Sequence, residues 1–400
     1  MAGGPLEGVR VVELCSAIAG PFAGKLLGDM GAEVVKVEPP ESGAADRVRP
    51  LPYDTHGDPE FTWRFLNYNT SKESLGLDLK SEEGAAVLDR LLEDADVCLQ
   101  NMRPGSMERL GFDWPSLHER NPSLVYCSIS GYGREGPYRS RPALDTLIQG
   151  ISGFATQVGS GDRPETMEVL VVDMMTGLYA AWSIAAALFE RGADGAGQRI
   201  DVSMLDVAVS MLGHQLAEYT GAQHDPDVEV RYGRAFAPNG FYEAADGYVA
   251  IFAPQDFWAA VCRAIDREEW TDPDHAYATN ERRLESDRFR EDLEAVLGER
   301  SVEAWLDRFA AVEGTVPAAP VNDIDEMVGD PQVQAQEAVV ARDHPQMGEY
   351  YTPPVVPKFS RTPAGIEDAP ALGSDTDRLL EELGYDAAER QALRERGIIE

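Results

Sequence analysis

The carboxylate of Asp173 lies at the boundary between two stretches of different composition. It follows the mostly apolar run 167–172 and begins a segment, 173–191, with helical periodicity and many small residues. An aspartate at such a boundary caps a helix N-terminus, where the helix dipole favours an anion. The same position presents a nucleophile beside free N–H groups that stabilise a reacting oxyanion. The pattern alone favours the cap, and the two roles are compatible.

Two arginines follow an expected strand at residues 96–101. Arg103 belongs to the sequence NMRPG at 101–105, and Arg109 follows shortly after it. In open α/β sheets, ligands bind at the carboxyl ends of strands, and arginines hold phosphates through bidentate hydrogen bonds. The alternative is that both are solvated arginines on an acidic surface, and the local sequence does not decide between the two.

The sequence lacks the motifs of several other kinds of binding and catalytic site. The loop at 15–21 does not contain the G-x-G-x-x-G pattern of dinucleotide sites, and Pro21 removes a backbone donor there. The sequence contains no Walker A, H-E-x-x-H or G-x-S-x-G motif, and its six histidines do not occur at metal-ligand spacing, so no metal site is expected. No C-x-x-C spacing occurs, which predicts buried free thiols at Cys15, Cys98, Cys127 and Cys262.

Alternating strands and helices position these residues in an expected Rossmann-like, open α/β domain. Residues 8–38 have the pattern strand, helix, strand, which predicts a βαβ unit and a parallel sheet. Further elements are expected along the chain: strands at 96–101, 124–129 and 199–203, and helices at 82–92, 173–191 and 204–216.

Composition divides the chain into three stretches. Residues 1–220 are expected to form the first part of the large domain. Residues 221–330 are expected to form a small α+β domain, entered through a polar connector rich in turn residues. Residues 331–400 are expected to return to the large domain.

The charge is strongly acidic and evenly dispersed. There are 70 acidic and 35 basic residues, a formal net charge of −35, and only five of the basic residues are lysine. This composition is typical of a protein from a high-salt cytoplasm, where a Debye length of about 3 Å at molar salt screens self-repulsion. It argues against nucleic-acid or anionic-membrane partners. The N-terminus lacks the features of a signal peptide, and we expect no apolar run long enough to span a bilayer. A cytoplasmic location is therefore predicted.

Several stretches, in order and in register, resemble the family III CoA-transferases of the CaiB/BaiF type, a group that also contains the α-methylacyl-CoA racemases. The resemblance extends over essentially the full chain. It rests on residues 6–14 (LEGVRVVEL), 19–22 (AGPF), 29–39 (DMGAEVVKVEP), 72–80 (KESLGLDLK), 101–105 (NMRPG), 130–133 (SGYG), 195–204 (GAGQRIDVSM), 371–376 (ALGSDT) and 382–385 (ELGY).

The resemblance implies a large Rossmann-like domain made by both chain ends, a small inserted domain, and two interlocked subunits of a homodimer. It implies that CoA thioesters are substrates and that no cofactor is permanently bound. Asp173 matches the family's catalytic aspartate, and Tyr132 falls near the expected thioester. The positions that line the family's CoA site are matched by Ile18, Leu77, Lys80, Asn101, Met102, Arg103, Arg109 and Met204.

The mechanism implied by the resemblance is covalent. Asp173 attacks a thioester, and CoA is passed through acyl-aspartyl anhydride and aspartyl-CoA intermediates. The racemase branch instead needs a His–Asp pair for proton exchange. Leu144 stands where that branch carries its histidine, which favours transferase over racemase. A non-catalytic acyl-CoA-binding protein is the remaining alternative, and the presence of the Asp173 carboxylate argues against it.

The expected substrates are succinyl-CoA and a dicarboxylic acid. The acidic, lysine-poor composition resembles members of the family from halophilic archaea that transfer CoA from succinyl-CoA to mesaconate in the methylaspartate cycle. Arg231 and Arg234, in the connector, would hold the distal carboxylate, or else are ordinary solvated arginines. The connector lacks the polyglycine loop with which some members cover their active site.

Overall fold

The computed structural model describes residues 3–44, 47, 61–158, 163–224, 235–345 and 347–400. The chain divides into two compact units, of which the larger comprises Met1–Gly213 with Ala338–Glu400 and the smaller comprises His214–Glu337. The expected α/β class, with a large part built from both chain ends and a small inserted part, is confirmed. The limits expected at 220 and 330 stay predictions.

The centre of the larger unit is a parallel sheet of six strands: β1 (Arg10–Leu14), β2 (Glu33–Glu38), β3 (Glu73–Gly76), β4 (Val97–Gln100), β5 (Val125–Ser130) and β6 (Arg199–Ser203). Their order is β3-β2-β1-β4-β5-β6, and every neighbouring pair is parallel. This is the strand order of a doubly wound Rossmann sheet, with its topological switch point between β1 and β4.

Helices cover both faces of this sheet. Val11 and Val12 point to opposite faces of β1 and are both fully buried, as parallel strands with two covered faces require. The helices before the smaller unit are α1 (Ala19–Asp29), α2 (Trp63–Tyr68), α3 (Glu82–Glu93), α4 (Ser106–Arg109), α5 (Trp114–Arg120), α6 (Asp145–Ser152), α7 (Val171–Asp194) and α8 (Met204–Ser210).

Helix α7 is the longest helix in the described part of the chain. Its segment Val171–Ala193 is long and apolar enough to cross a membrane by length and composition alone. This differs from the expectation that no apolar run reaches spanning length. The structure gives a reason for part of that composition, because Ala180, Ala181 and Ile184 are buried in the core between α7, α1 and the sheet.

The smaller unit has an antiparallel sheet and its own apolar core. The sheet contains β7 (Asn239–Glu243), β8 (Tyr248–Phe252) and β9 (Ala318–Pro320). Trp258 and Trp305 are almost completely buried in its core. Its helices are α9 (Gly213–His224), α10 (Gln255–Ala264), α11 (Asn280–Glu285), α12 (Phe289–Leu297), α13 (Val302–Ala311), α14 (Ile324–Gly329) and α15 (Pro331–Ala335).

The single helix expected over 204–216 is instead two helices, α8 and α9. Helix α8 ends at Ser210, whose hydroxyl donates to the carbonyl of Val207 at 2.7 Å. Such a local side-chain bond competes with helical backbone pairing. Gly213, a weak helix former, then begins α9.

The C-terminal stretch completes the larger unit. It adds a two-stranded antiparallel sheet, β10 (Val340–His344) with β11 (Gly348–Thr352), and two helices, α16 (Thr376–Glu382) and α17 (Ala387–Glu395). Leu379 and Leu380 of α16 join the same core as Leu88 of α3. Ile399 also bridges to Leu77, the residue that follows β3.

Most lysines of this lysine-poor chain are buried rather than solvated. Lys36 and Lys72 both pair with Glu13, at Nζ–Oε distances of 3.0 and 2.8 Å, and Lys25 pairs with Asp29. All five side chains are buried. Such pairs are costly to break from one side, because a buried charge is then left without its partner.

Candidate active site

Asp173 is the third residue of α7 and does not cap the helix. The residue that precedes the first turn is Leu170, which makes no side-chain capping hydrogen bond. The backbone N–H of Asp173 instead donates to the Asp145 carboxylate, with an N–Oδ2 distance of 2.9 Å. The cap at this helix start is therefore supplied by a residue of another helix, which leaves the Asp173 side chain without that role.

Asp145 is held in place by a buried glutamine. Both residues lie on α6, and Gln149 donates from Nε2 to Asp145 Oδ1 at 2.5 Å. The Gln149 amide also makes two hydrogen bonds with the backbone of Met167, accepting at 2.9 Å and donating at 3.0 Å. These bonds fix the Asp145 carboxylate beside the first turn of α7.

This environment disfavours the charged form of Asp173. Burial, reinforced by the negative charge of Asp145, raises the pKa of Asp173 from 3.8 to about 7, and the Arg64 guanidinium opposes the rise. A carboxylate with a raised pKa is more basic and more nucleophilic when ionised. Perturbed groups of this kind concentrate at functional sites.

The first turns of α7 lie against the start of α1. A Cβ built on Gly177, one turn beyond Asp173 on the same helix face, would lie 2.6 Å from the carbonyl oxygen of Ala19. Ala19 is the first residue of α1, which directly follows the loop after β1. The nucleophile candidate and the carboxyl end of β1 are thus brought together through this helix contact.

A cleft of about 700 Å³ opens at the carboxyl ends of β1–β4, and we call it the switch-point cleft. It occupies the switch point of the sheet, the usual ligand position in this topology. Five of the eight expected CoA-site residues line it: Leu77, Lys80, Asn101, Met102 and Arg109.

Hydrogen bonds shape the floor of the switch-point cleft. Asn101 after β4 and Ser16 after β1 are joined by two, from Ser16 N to Asn101 Oδ1 at 3.0 Å and from Asn101 Nδ2 to the Ser16 carbonyl at 2.8 Å. Arg109 donates to Ser106 Oγ at 2.8 Å and is otherwise exposed. Its remaining donors therefore face the open cleft or solvent.

The adjoining cleft, of about 440 Å³, is rich in arginine. Arg103 and Met102 line it, together with Arg134, Arg139 and Arg199. Acidic groups also face this region, and Asp201 pairs with Arg199 at 2.8 Å. Arg103 thus lies beside the switch-point cleft rather than inside it, and Met102 joins the two clefts.

Ile18, Met204 and Tyr132 line neither cleft. Ile18 is the buried residue immediately before α1. Met204 begins α8 and packs in a small core with Val172 of α7. Tyr132 packs against that core, and its hydroxyl donates to the Pro142 carbonyl at 3.5 Å. Met204 and Tyr132 are therefore near the first turn of α7, and the roles expected of all three stay predictions.

The two expected acid-binding arginines, Arg231 and Arg234, lie outside the described residues. The sequence analysis does not predict Asp145 and Arg64, whose charges act on Asp173, or Gln149, which holds Asp145 in place. Asp145 follows Leu144 in the stretch compared with the racemases, so its position was a usable signal. Arg64 has no local pattern that marks it, because it lies on α2, far from Asp173 along the chain, and is brought close only by the fold.

The chain matches known proteins over nearly its whole length. The family described as CoA-transferase family III matches residues 6–376. A succinate–glutarate CoA-transferase from Agrobacterium fabrum is 35% identical, with 95% of this chain and 96% of that protein covered. A succinyl-CoA:mesaconate CoA-transferase from Haloarcula marismortui is 34% identical, with 96% and 97% covered.

The fold comparison agrees with the sequence comparison. The crystal structure of a CaiB/BaiF family protein from Brucella suis superposes with a TM-score of 0.81 at 31% identity. The match covers 95% of this chain and 100% of the Brucella chain.

Proposed function

The chain belongs to CoA-transferase family III and is a CoA-transferase acting on CoA thioesters, and from this premise we propose that it passes CoA from succinyl-CoA to a short dicarboxylic acid, mesaconate or a similar acid, through Asp173. The observation that carries the proposal is the half-buried carboxylate of Asp173, held next to Asp145 with a pKa raised to about 7. A surface cap would have neither the burial nor the raised pKa.

In the first half-reaction, ionised Asp173 attacks the thioester carbonyl of succinyl-CoA. The C–S bond breaks, CoA leaves as a thiolate, and a succinyl-aspartyl anhydride forms. The thiolate then attacks the aspartyl carbonyl of this anhydride. Succinate leaves with the bridging oxygen, and Asp173 carries CoA as a thioester.

The second half-reaction runs in the opposite sense. The acceptor carboxylate attacks the aspartyl-CoA carbonyl and expels the CoA thiolate, which forms a second anhydride. The thiolate then attacks the acceptor carbonyl, which releases the new thioester and regenerates the Asp173 carboxylate. One oxygen of the acceptor remains on Asp173 after each turnover.

We assign CoA binding to the switch-point cleft. The support is its position in the sheet, its size and the residues that line it, which include Lys80 and Arg109. These two cations would pair with CoA phosphates. Arg103 would extend the cationic surface into the adjoining cleft.

The choice of succinyl-CoA and a diacid rests on the relatives. The Agrobacterium protein is named for succinate and glutarate, and the Haloarcula protein is named for succinyl-CoA and mesaconate. The strongly acidic composition supports the second kind and a high-salt cytoplasm. Arg231 and Arg234 stay proposed contacts of the distal carboxylate.

We also propose a homodimer, interlocked as the family resemblance implies. Helix α7 exposes large apolar side chains in a row along one face, at Leu178, Trp182 and Phe189, and Phe189 is 89% exposed. Exposed apolar rows of this kind mark protein interfaces. In sedimentation analysis the wild type should have the mass of two chains, and Trp182→Glu with Phe189→Glu should shift it toward one.

The covalent role of Asp173 is tested by trapping. Wild-type protein incubated with succinyl-CoA alone and quenched in acid should carry CoA on the peptide that contains Asp173, and Asp173→Ala should carry none. With acceptor labelled by ¹⁸O in its carboxylate, turnover should leave ¹⁸O in Asp173. A folded Asp173→Ala protein with undiminished transfer would overturn the assignment, and binding without any adduct would favour a non-catalytic acyl-CoA protein.

The acceptor is tested by a panel assayed in molar salt. Succinyl-CoA is offered with mesaconate, glutarate, itaconate and malate, and the new thioester is measured by chromatography. Transfer to at least one of these diacids is expected. Transfer to none of them would contradict the diacid proposal while leaving the membership of the family intact.

A further inference from the structure

A third pocket, of about 340 Å³, lies beside the first turn of α7, and we call it the α7 pocket. Leu170, three residues before Asp173, and Met174, which directly follows it, form part of its wall. The rest of its lining comes from α1, α2 and the segment after β11: Phe22, Lys25, Trp63, Arg64, Asn67, Tyr68 and Pro353. All of these residues belong to the larger unit.

The walls of the α7 pocket are mainly aromatic and apolar. Phe22 and Tyr68 meet edge to face, with ring centroids 6.0 Å apart. Two lining residues are charged, Lys25 and Arg64. Lys25 is already paired with Asp29 of its own helix, so its charge is compensated.

Arg64 is the cation of the α7 pocket that forms no salt bridge with a described residue, although the charge of Asp173 is near enough to interact with it. Its Nε atom is inaccessible to solvent and has no hydrogen-bond partner there. The fully buried cations Arg47, Lys36 and Lys72 of this unit are matched, by contrast: Arg47 binds Glu38 at 2.7 Å, and Lys36 and Lys72 bind Glu13. An inaccessible N–H without a partner is destabilising, and the penalty is removed when an acceptor arrives.

We infer that Arg64 binds the distal carboxylate of a short dicarboxylic substrate in the α7 pocket, while the reacting carbonyl of the same molecule faces Asp173. The inference rests on the proposed function, since it takes Asp173 as the nucleophile. A guanidinium binds a carboxylate through two parallel hydrogen bonds, and the apolar walls suit a short hydrocarbon chain between two charged ends. The volume is at the low end for ligand pockets, which selects small acids.

The α7 pocket serves both half-reactions, because donor acyl group and acceptor are chemically alike. In the acyl-CoA complex, the succinyl carboxylate occupies it. After succinate leaves, the acceptor diacid binds in the same orientation. Arg64 thereby acts as a specificity-determining residue, and a monocarboxylic acid of equal length leaves its charge unmatched.

Arg64 has one competing role. Its charge lowers the pKa of Asp173, so an alternative is that it acts only by keeping the nucleophile ionised. That role would affect every substrate equally and would move the pH profile. Diacid binding would affect only substrates that carry a second carboxylate.

The experiment compares succinyl-CoA with butyryl-CoA, in which a methyl group replaces the distal carboxylate. Formation of the aspartyl-CoA adduct is followed by rapid quench and mass spectrometry. Arg64→Gln should slow the reaction of succinyl-CoA on the order of 100-fold and leave butyryl-CoA within a few-fold of wild type. Arg64→Lys, which keeps the charge but not the fork, should be intermediate.

Inhibition by free succinate supplies a second measurement that does not depend on butyryl-CoA reacting. Its inhibition constant should rise on the order of 100-fold in Arg64→Gln. The matched control is Arg120→Gln, since Arg120 pairs with Asp89 of α3 and lines none of the three pockets. Circular dichroism confirms that each variant is folded.

The outcomes separate the inference from the proposed function. Equal slowing of both thioesters in Arg64→Gln, or an unchanged inhibition constant for succinate, would overturn the role of Arg64 in binding. Absence of any adduct on Asp173 in the wild type, with either thioester, would overturn the nucleophile itself.

Discussion

The neighbours of Asp173, the proposed nucleophile, determine the ionisation of its carboxylate. Its own backbone N–H is bonded to Asp145, so the two carboxylates are forced into proximity by a helix-capping contact. Burial and this second negative charge both favour the protonated form. The result is an aspartate that titrates near neutrality, where a small change in its surroundings changes the fraction of active enzyme.

The pH dependence of catalysis should report this residue. In the proposed mechanism only ionised Asp173 attacks the thioester, so kcat/KM should fall as pH drops below about 7. In Asp145→Asn the neighbouring charge is absent, the pKa of Asp173 falls, and the acidic limb should move to lower pH. Initial rates with succinyl-CoA over pH 5–9 in molar salt measure the limb in both proteins.

Asp145→Asn also leaves two donors facing each other, because Gln149 Nε2 donates to this side chain. A loss of stability of about 1–3 kcal/mol is therefore expected. The rates of this variant should be measured well below its melting temperature. An acidic limb at the same pH in both proteins would contradict the role given to Asp145.

Asp173 should lower the stability of the protein at the pH where it is active. Its folded-state pKa lies above the ordinary value of 3.8, so ionisation of Asp173 lowers the free energy of unfolding. This loss is absent below about pH 4 and becomes complete as pH rises through about 7. Asp173→Asn removes that loss. The variant should be inactive yet more stable than wild type at pH 8, on the order of 1–4 kcal/mol, and similar to it at pH 4. Denaturant unfolding at the two pH values measures the difference, and a variant less stable at pH 8 would contradict the burial of an ionisable Asp173.

At the level of elements, α7 must come very close to α1 to place Asp173. Gly177 makes this approach possible, since a methyl group there would lie 2.6 Å from the Ala19 carbonyl oxygen and 3.0 Å from the Phe22 ring. A larger residue would push the helices apart at the start of α1, next to the switch-point cleft. A larger side chain at Gly177 is therefore expected to affect both stability and catalysis.

Two glycines of α7 form a matched pair for testing this. Gly177→Ala should destabilise the protein by about 1–3 kcal/mol through overpacking and should lower kcat. Gly192→Ala, at a position where a methyl group meets nothing within 4 Å, should stabilise it by about 0.5–1 kcal/mol through helix propensity alone. Urea unfolding measures the change in stability, and initial rates measure the change in kcat. Equal effects of the two changes would show that α1 and α7 are not in close contact.

The strands show which elements a sequence can predict. The run at 199–203 matches β6, and β2 is the second strand of the βαβ unit predicted over 8–38, because both are short β-rich segments bounded by turns. The sequence analysis does not predict β3. This strand is short and ends in Gly76, so no alternation of apolar and polar residues can be recognised in it. The partners of β10 and β11 likewise depend on packing that no local pattern records.

The whole molecule sets a further limit on prediction from sequence. Asp173 was identified through resemblance and its boundary position, whereas the groups that tune it are distant along the chain. Asp145 reaches it through a helix cap, and Arg64 lies on α2, which lines the same pocket as the start of α7. Such neighbours arise from chain topology, which spacing along the sequence does not encode.

The net charge of −35 should make folding dependent on salt. At about 0.1 M salt the Debye length is about 10 Å, so like charges on the surface repel, whereas at about 1 M it is about 3 Å. The melting temperature should therefore rise steadily as KCl is raised from low to molar concentration. Sucrose at matched osmolality is the control for solvent exclusion. A melting temperature that is constant over this range would contradict a high-salt setting.

The distribution of lysine has a chemical consequence for a protein that handles activated acyl groups. Thioesters and mixed anhydrides transfer acyl groups to free amines without any catalyst. Here Lys25, Lys36 and Lys72 are sealed in buried ion pairs, which leaves only Lys80 and Lys358 as solvent-facing lysines. Prolonged incubation with succinyl-CoA should therefore modify very few side chains, and peptide mapping should find the exposed Lys80 and Lys358 modified before the three buried lysines. The scarcity of exposed lysine would thereby limit acylation of the protein by its proposed substrate.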